Sequence, residues 1–219
     1  MRTVVFDLDG TLADTSADLI AAANACFRDL GHGDMLDASD ALVAFHGGRA
    51  MLRLGFARLG EMSEAVVAAQ YPRLLATYAE GIDRHTRMYP GAVEAVEALL
   101  GAGYATAVCT NKSEGLAETL LQRLGVRGLF GALVGADTLA VRKPHPAPLL
   151  EAIGRVGGQP ARALLVGDTE TDRETGRAAG VPVALVTFGP EGAGVARLEP
   201  EALLDGYGEL AAVVQRLVG

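Results

Sequence analysis

Five short apolar runs rich in Val, Leu and Ala, at residues 3–6, 104–109, 132–135, 163–166 and 182–186, constrain this chain more than any other feature. Helical patterns separate most of them. Val93, Val96 and Leu100 form one stripe, and Leu116, Leu120, Leu121 and Leu124 form another, with Ser113 placed to cap it and Gly125 to stop it. Short apolar strands alternating with helices of this length read as parallel β-α-β units. The expected fold is an α/β, doubly wound parallel sheet. Ligands of such sheets bind beyond the carboxyl ends of the strands, so the residues that follow each run are the ones to read for chemistry.

The interval between the first run and residue 88 breaks the rhythm. Leu19, Ile20, Ala23, Phe27 and Leu30 repeat at helical spacing and end at Gly31. Further helical stretches are expected near 37–45, 49–59 and 63–79, the last kinked or interrupted at Pro72. The expectation is an inserted helical subdomain over 15–83, with residues 1–14 and 84–219 forming the core, and hinges near Ala13–Ser16 and Gly81–Met88. Residues 189–200 read as a glycine-rich loop and 208–218 as a closing helix.

The first run ends in Asp7-Leu8-Asp9-Gly10-Thr11-Leu12. A strand alternates faces with period two, so Asp7 and Asp9 can project toward one point at its carboxyl end. Two adjacent anions repel and raise each other's proton affinity unless a positive group lies between them. A hard divalent cation such as Mg²⁺ meets that need with oxygen ligands; the alternative is an acidic turn with both side chains in water. The run at 104–109 leads to Thr110-Asn111-Lys112, a hydroxyl and amides at a helix start, which is either an anion site or a plain N-cap region. Lys143-Pro144 follows the third run, where proline stiffens the approach to a helix. The fourth leads to Gly167-Asp168, with Asp172 one helical turn later, able to point toward the same cation if the two share a helix face.

Composition narrows the partners. A formal net charge of -8 disfavours nucleic acid as the main partner. No apolar stretch is long enough for a membrane span, and the N-terminus has no export pattern. Cys26 and Cys109 lie far apart in apolar surroundings, as free buried thiols of a cytoplasmic protein would. Only two of the nineteen basic residues are lysine, Lys112 and Lys143, and both fall in the segments just described. A compact ammonium is not replaced by a planar guanidinium where space is tight.

Taken in order, Asp7-Leu8-Asp9-Gly10-Thr11, Thr110-Asn111, Lys143-Pro144 and Gly167-Asp168 with Asp172 resemble the four motifs of the haloacid dehalogenase superfamily of phosphoryl-transfer enzymes, over essentially the whole chain. Asp9-Gly10-Thr11-Leu12, Thr110-Asn111-Lys112 and Lys143-Pro144-His145-Pro146 are similar to its phosphoglycolate phosphatase-like subgroup. The resemblance implies that Asp7 is the nucleophile, that Asp9 moves protons, and that Thr110, Asn111 and Lys143 hold the phosphoryl oxygens. It implies Mg²⁺ held by Asp7, Asp168 and the carbonyl of Asp9, with Asp172 bound to it directly or one layer out. Lys112, beside this cradle, is expected as a helix-end or electrostatic helper, not a catalyst.

The acid at Asp9 disfavours a dehalogenase, because halide needs no proton to leave. The absence of lysine from Ser16 to Asp83 disfavours phosphonoacetaldehyde hydrolases and β-phosphoglucomutases, whose caps contribute one. The helical insert resembles the family's cap, and within His46-Gly47-Gly48-Arg49 the guanidinium of Arg49 is the candidate contact for an anionic group of the substrate. His46 is a weaker candidate, and His145 is expected to fill space behind Lys143, with Arg142 pointing away. The implied protein is a monomeric or homodimeric phosphatase of a small phosphorylated metabolite, with phosphoglycolate first among the candidates. A sugar-phosphate mutase and a noncatalytic phospho-ligand sensor are the alternatives.

Overall fold

The computed structural model describes every residue from Met1 to Gly219. Its strands are β1 (Thr3–Phe6), β2 (Ala13–Asp14), β3 (Arg87–Met88), β4 (Ala105–Cys109), β5 (Ala132–Val134), β6 (Ala163–Gly167), β7 (Val183–Val186) and β8 (Ala202–Leu204). Its helices are α1 (Ser16–Asp29), α2 (Ala41–Phe45), α3 (Gly48–Leu59), α4 (Glu64–Glu80), α5 (Ala92–Gly101), α6 (Glu114–Arg123), α7 (Ala147–Arg155), α8 (Glu170–Ala179) and α9 (Leu210–Val218). The chain divides into two compact units, one made of Met1–Ala13 with Met88–Gly219 and the other of Asp14–Arg87.

The first unit is built on a six-stranded sheet in the order β5-β4-β1-β6-β7-β8, parallel at every pairing. This is the doubly wound sheet expected from the apolar runs. The first strand of the chain lies inside it, with Thr3 opposite Ala105 of β4 on one side and Ala163 of β6 on the other. All four residues of β1 are buried, and a strand covered on both faces has no use for a polar alternation. Leu149, Ala152 and Ile153 of α7 join Val5, Ala107, Leu165 and Val183 in one apolar layer. Helix α8 packs beside α7 and against β6 and β7, while α5 and α9 touch each other and cover β4 and β6. The chain winds from β1 out to β5, then crosses to β6 and winds out to β8. The reversal opens a crevice at the carboxyl end of β1.

Two features of this unit depart from expectation. Strand β8 carries no mark in the sequence: it is Ala-Leu-Leu, without a β-branched residue, and Leu203 is exposed at the sheet edge. Residues 189–200 are not all loop, because Gly192–Leu198 winds into a 3₁₀ helix anchored by buried Val195.

The second unit is helical. Helix α1 packs on α2, α3 and α4, and α3 also packs on α4. Phe27 and Phe56 meet edge-on with ring centroids 5.1 Å apart. A Cβ on Gly55 would come within 2.1 Å of the Phe27 ring, so only glycine lets α3 lie this close. Buried Asn24 donates to the carbonyl of Leu36 at 2.8 Å and accepts from the N–H groups of Met35 and Leu36, fixing the turn after α1. Helix α4 is continuous across Pro72 instead of being interrupted there. Proline removes a single backbone donor, and buried Val67, Leu74 and Tyr78 hold the helix in place on either side of it.

Candidate active site

Four segments meet at the carboxyl ends of β1, β4, β5 and β6. Asp7 follows β1 directly, and its N–H continues the ladder by donating to the carbonyl of Val166 at 2.9 Å. The side chain is nearly buried, at 8% exposure. Lys143, from the segment after β5, reaches it: Nζ donates to Asp7 Oδ1 at 2.8 Å, to Asp172 Oδ1 at 2.7 Å and to the carbonyl oxygen of Cys109 at 2.8 Å. All three ammonium hydrogens are thereby used. The Lys143–Pro144 peptide is cis, and Asn111 Nδ2 donates to the Lys143 carbonyl at 3.0 Å, tying this segment to the one after β4. Burial by itself would push the Lys143 ammonium down, but Asp172 and Asp7 outweigh it and hold it above its ordinary range. It is a fixed positive charge. Burial raises the Asp7 carboxyl to about 6 despite the opposing pull of that lysine.

Asp168 stands at the tip of β6, fully buried. Its Oδ1 accepts from the hydroxyl of Thr11 at 2.9 Å, whereas Oδ2 has no hydrogen-bond partner. A Cβ on Gly10, whose φ is +82°, would lie 2.3 Å from that oxygen. The glycine after Asp9 therefore serves both the turn and the close approach of a carboxylate. Burial, then Asp172 and Asp7, raise the Asp168 carboxyl well above the usual carboxylate range. Asp172 converges on this point for a different reason from the shared helix face expected, since α8 begins only at Glu170. It is the third residue of a capping box: Oδ2 accepts from the N–H of Asp168 and Thr169 and from the Thr169 hydroxyl, while Oδ1 takes Lys143.

Oxygens of Asp7, Asp168 and Asp172 all lie within 4.8 Å of one another. Three buried carboxylates face one ammonium, and one of their oxygens has no donor. An all-oxygen, anion-rich cluster of this kind fits a hard divalent cation. Asp9 lies at the mouth, its carboxylate 2.9 Å from Lys112 Nζ. Thr110 is buried, and its hydroxyl accepts from the N–H of Lys112 at 3.1 Å, which fixes the turn presenting that lysine. Both lysines of the chain thus neutralise carboxylates of the first motif.

The remaining expected positions make none of these hydrogen bonds. His145 does not fill space behind Lys143: it is exposed, and its Nδ1 accepts from the N–H of Ala147 at the start of α7. Arg142 is exposed. Arg49 and His46 belong to the helical unit and are exposed, with the Arg49 guanidinium 4.2 Å from the centroid of the Tyr71 ring. Three contacts had no sequence argument behind them: the Thr11 hydroxyl on Asp168, the Lys112–Asp9 pair, and the Tyr207 hydroxyl, which donates to the carbonyl of Thr11 at 2.8 Å. The pairing of Lys112 was within reach, given how rare lysine is here. Tyr207 left no local signal, being almost two hundred residues away.

A family model described as haloacid dehalogenase-like hydrolase matches residues 4–186. The chain is 38% identical over 220 residues to a phosphoglycolate phosphatase of Mesorhizobium japonicum, covering 98% of this chain and 96% of that protein. It is also 38% identical to the phosphoglycolate phosphatase of Agrobacterium fabrum, over 98% and 93% of the two chains. A crystal structure described as a predicted phosphoglycolate phosphatase from Haemophilus somnus superposes with a TM-score of 0.85 at 28% identity, covering 98% of each chain. With the motifs in order, the sheet wound as expected and a family model spanning most of the sequence, this chain belongs to the haloacid dehalogenase-like hydrolases.

Proposed function

We propose that this hydrolase is a Mg²⁺-dependent phosphatase that transfers the phosphoryl group of a small phosphomonoester to Asp7 and then to water. The observation that carries the proposal is the buried carboxylate cluster of Asp7, Asp168 and Asp172, which holds a single lysine and an Asp168 oxygen with no donor. Asp7 and Asp168 offer side-chain oxygens for the cation, the backbone carbonyl of Asp9 is the proposed third donor, and Asp172 stands beside it, bound directly or one layer out. Mg²⁺ bound there supplies positive charge against the phosphoryl oxygens, so that an anionic nucleophile can approach an anionic ester.

The protein's own groups do the rest. Asp7 Oδ attacks phosphorus as the bond to the leaving oxygen breaks, giving an aspartyl phosphate. Asp9 passes its proton to the departing alkoxide, then takes one from the water that cleaves the acyl phosphate and regenerates Asp7. Lys143, held by three acceptors, keeps its charge throughout and stabilises the equatorial oxygens together with the Thr110 hydroxyl and the Asn111 amide. Asp172, with both oxygens occupied by donors, orients the lysine as well as contributing negative charge to the cation.

Phosphoglycolate is the first substrate to test, because relatives over nearly the whole chain carry that activity in their names. Its carboxylate would be met by Arg49 of the helical unit, which we propose as the specificity contact; Arg49→Ala should then raise KM for phosphoglycolate more than for a neutral aryl phosphate. The deciding experiment is phosphate release from a panel of small phosphomonoesters, 2-phosphoglycolate included, with Mg²⁺ and with EDTA. Metal-dependent turnover concentrated on phosphoglycolate is the expected result. Turnover unaffected by EDTA would remove the metal from the mechanism. Absence of phosphate release from every ester would overturn the phosphatase.

A further inference from the structure

We infer that Tyr207, close to the end of the chain, is a positioning residue for the cation site. It lies outside the residues 4–186 that define the family match, and the inference rests on the metal-dependent reading given above. The ring is 3% exposed, and the hydroxyl donates at 2.8 Å to the backbone carbonyl of Thr11. The hydroxyl of that same threonine donates to Asp168 Oδ1, leaving Oδ2 with no donor of its own. One phenol thus holds the backbone of the residue that aims the carboxylate.

The surroundings support a positioning role. The carbonyl of the next residue, Leu12, accepts from the N–H of Tyr89 at 2.9 Å. Tyr89 meets Phe188 with centroids 5.0 Å apart, and Phe188 meets Tyr207 at 5.4 Å. Three rings from distant segments thus pack in a row, and the turn Gly10–Leu12 takes two donors from this group, the Tyr207 hydroxyl on the carbonyl of Thr11 and the Tyr89 backbone N–H on that of Leu12. A buried carbonyl that loses its donor shifts to find another. Any such shift moves the Thr11 hydroxyl and, through it, Asp168.

The test uses the full-length chain, with Mg²⁺ affinity measured by isothermal titration and thermal midpoints measured with EDTA and with Mg²⁺. Tyr207→Phe keeps the ring and removes only the donor; its Mg²⁺ Kd should rise by about 3- to 10-fold, the scale of one net hydrogen bond. Phe188→Leu loosens the ring packing around Tyr89 and Tyr207 without removing either donor to the turn, so it should lower the midpoint in EDTA and leave the Mg²⁺ Kd unchanged. Equal Mg²⁺ affinity in the wild type and Tyr207→Phe would overturn the inference alone. So would a loss in Phe188→Leu as large as that in Tyr207→Phe, because packing would then explain both. A wild type that binds no Mg²⁺ would overturn the metal reading and this inference with it.

Discussion

Replacing Asp7 by Asn should abolish phosphate release and, in the absence of metal, make the protein more stable. Asn keeps an oxygen where Lys143 Nζ now donates at 2.8 Å, and it removes one of three negative charges gathered around a single ammonium. Burial raises the Asp7 carboxyl from 3.8 to about 6. Holding it ionised in the folded protein therefore costs about two pK units, or roughly 3 kcal/mol. The sign follows from linkage. An acid whose folded pKa exceeds its unfolded one binds more protons when folded, so stability falls as pH rises from about 4 to about 6 and the full penalty stands above that window. Thermal unfolding followed by circular dichroism in EDTA at about pH 8 should place Asp7→Asn roughly 6–12 °C above the wild type, at about 2–4 °C per kcal/mol for a chain of this size. The gap should close as pH is lowered through the window. Saturating Mg²⁺ should narrow it from the other side, by stabilising the wild type more than the variant. An Asp7→Asn protein less stable than wild type in EDTA, or a gap indifferent to pH, would refute the account of a site strained by its own charges.

Two other measurements test what burial does to charged and ionisable groups. Lys143→Met strips the only ammonium from Asp7 and Asp172 and leaves buried carboxylates uncompensated, which should cost about 3–5 kcal/mol in EDTA; an unchanged urea midpoint would mean these carboxylates are solvated. The two cysteines should resist alkylation in the native protein, because burial pushes the thiol of Cys26 up to about 11 and that of Cys109 up to about 12; mass spectrometry after iodoacetamide, with and without denaturant, would detect any labelling that contradicts this.

Much of the fold was legible in the sequence because its strands are buried on both faces. Val4, Val5, Leu164 and Leu165 read as uninterrupted apolar runs, and runs of that kind with helices between them have few ways to pack. Strand β8 escaped because an edge strand of three residues needs neither β-branching nor apolar continuity. Of the site, Asp7 and Asp168 were legible because each stands where a strand ends and the sheet order brings those ends together, and Lys143 because lysine is so rare in this chain. The convergence of Asp172 was expected, but from the wrong geometry: capping rather than a helix face places it. His145 was misplaced because proximity in sequence to Lys143 says nothing about direction after a proline. Tyr207 could not be found locally, since what couples it to Thr11 is the closure of the whole unit.

The position of β1 sets the order in which the site can come into being. The strand is made first and sits in the middle of the sheet, yet its neighbours begin only at Ala105 and Ala163. On the ribosome, Thr3–Phe6 must wait for more than a hundred residues to be synthesised before one edge is covered, and for still more before the other is. During that interval Val4, Val5 and Phe6 present an apolar strand with both edges open, the kind of segment that chaperones hold and that aggregates when they do not. A chain truncated before β6 has no Asp168 and no partner for one side of β1. Termination before β6 therefore yields a fragment with an incomplete carboxylate cluster and an apolar first strand left uncovered on one edge.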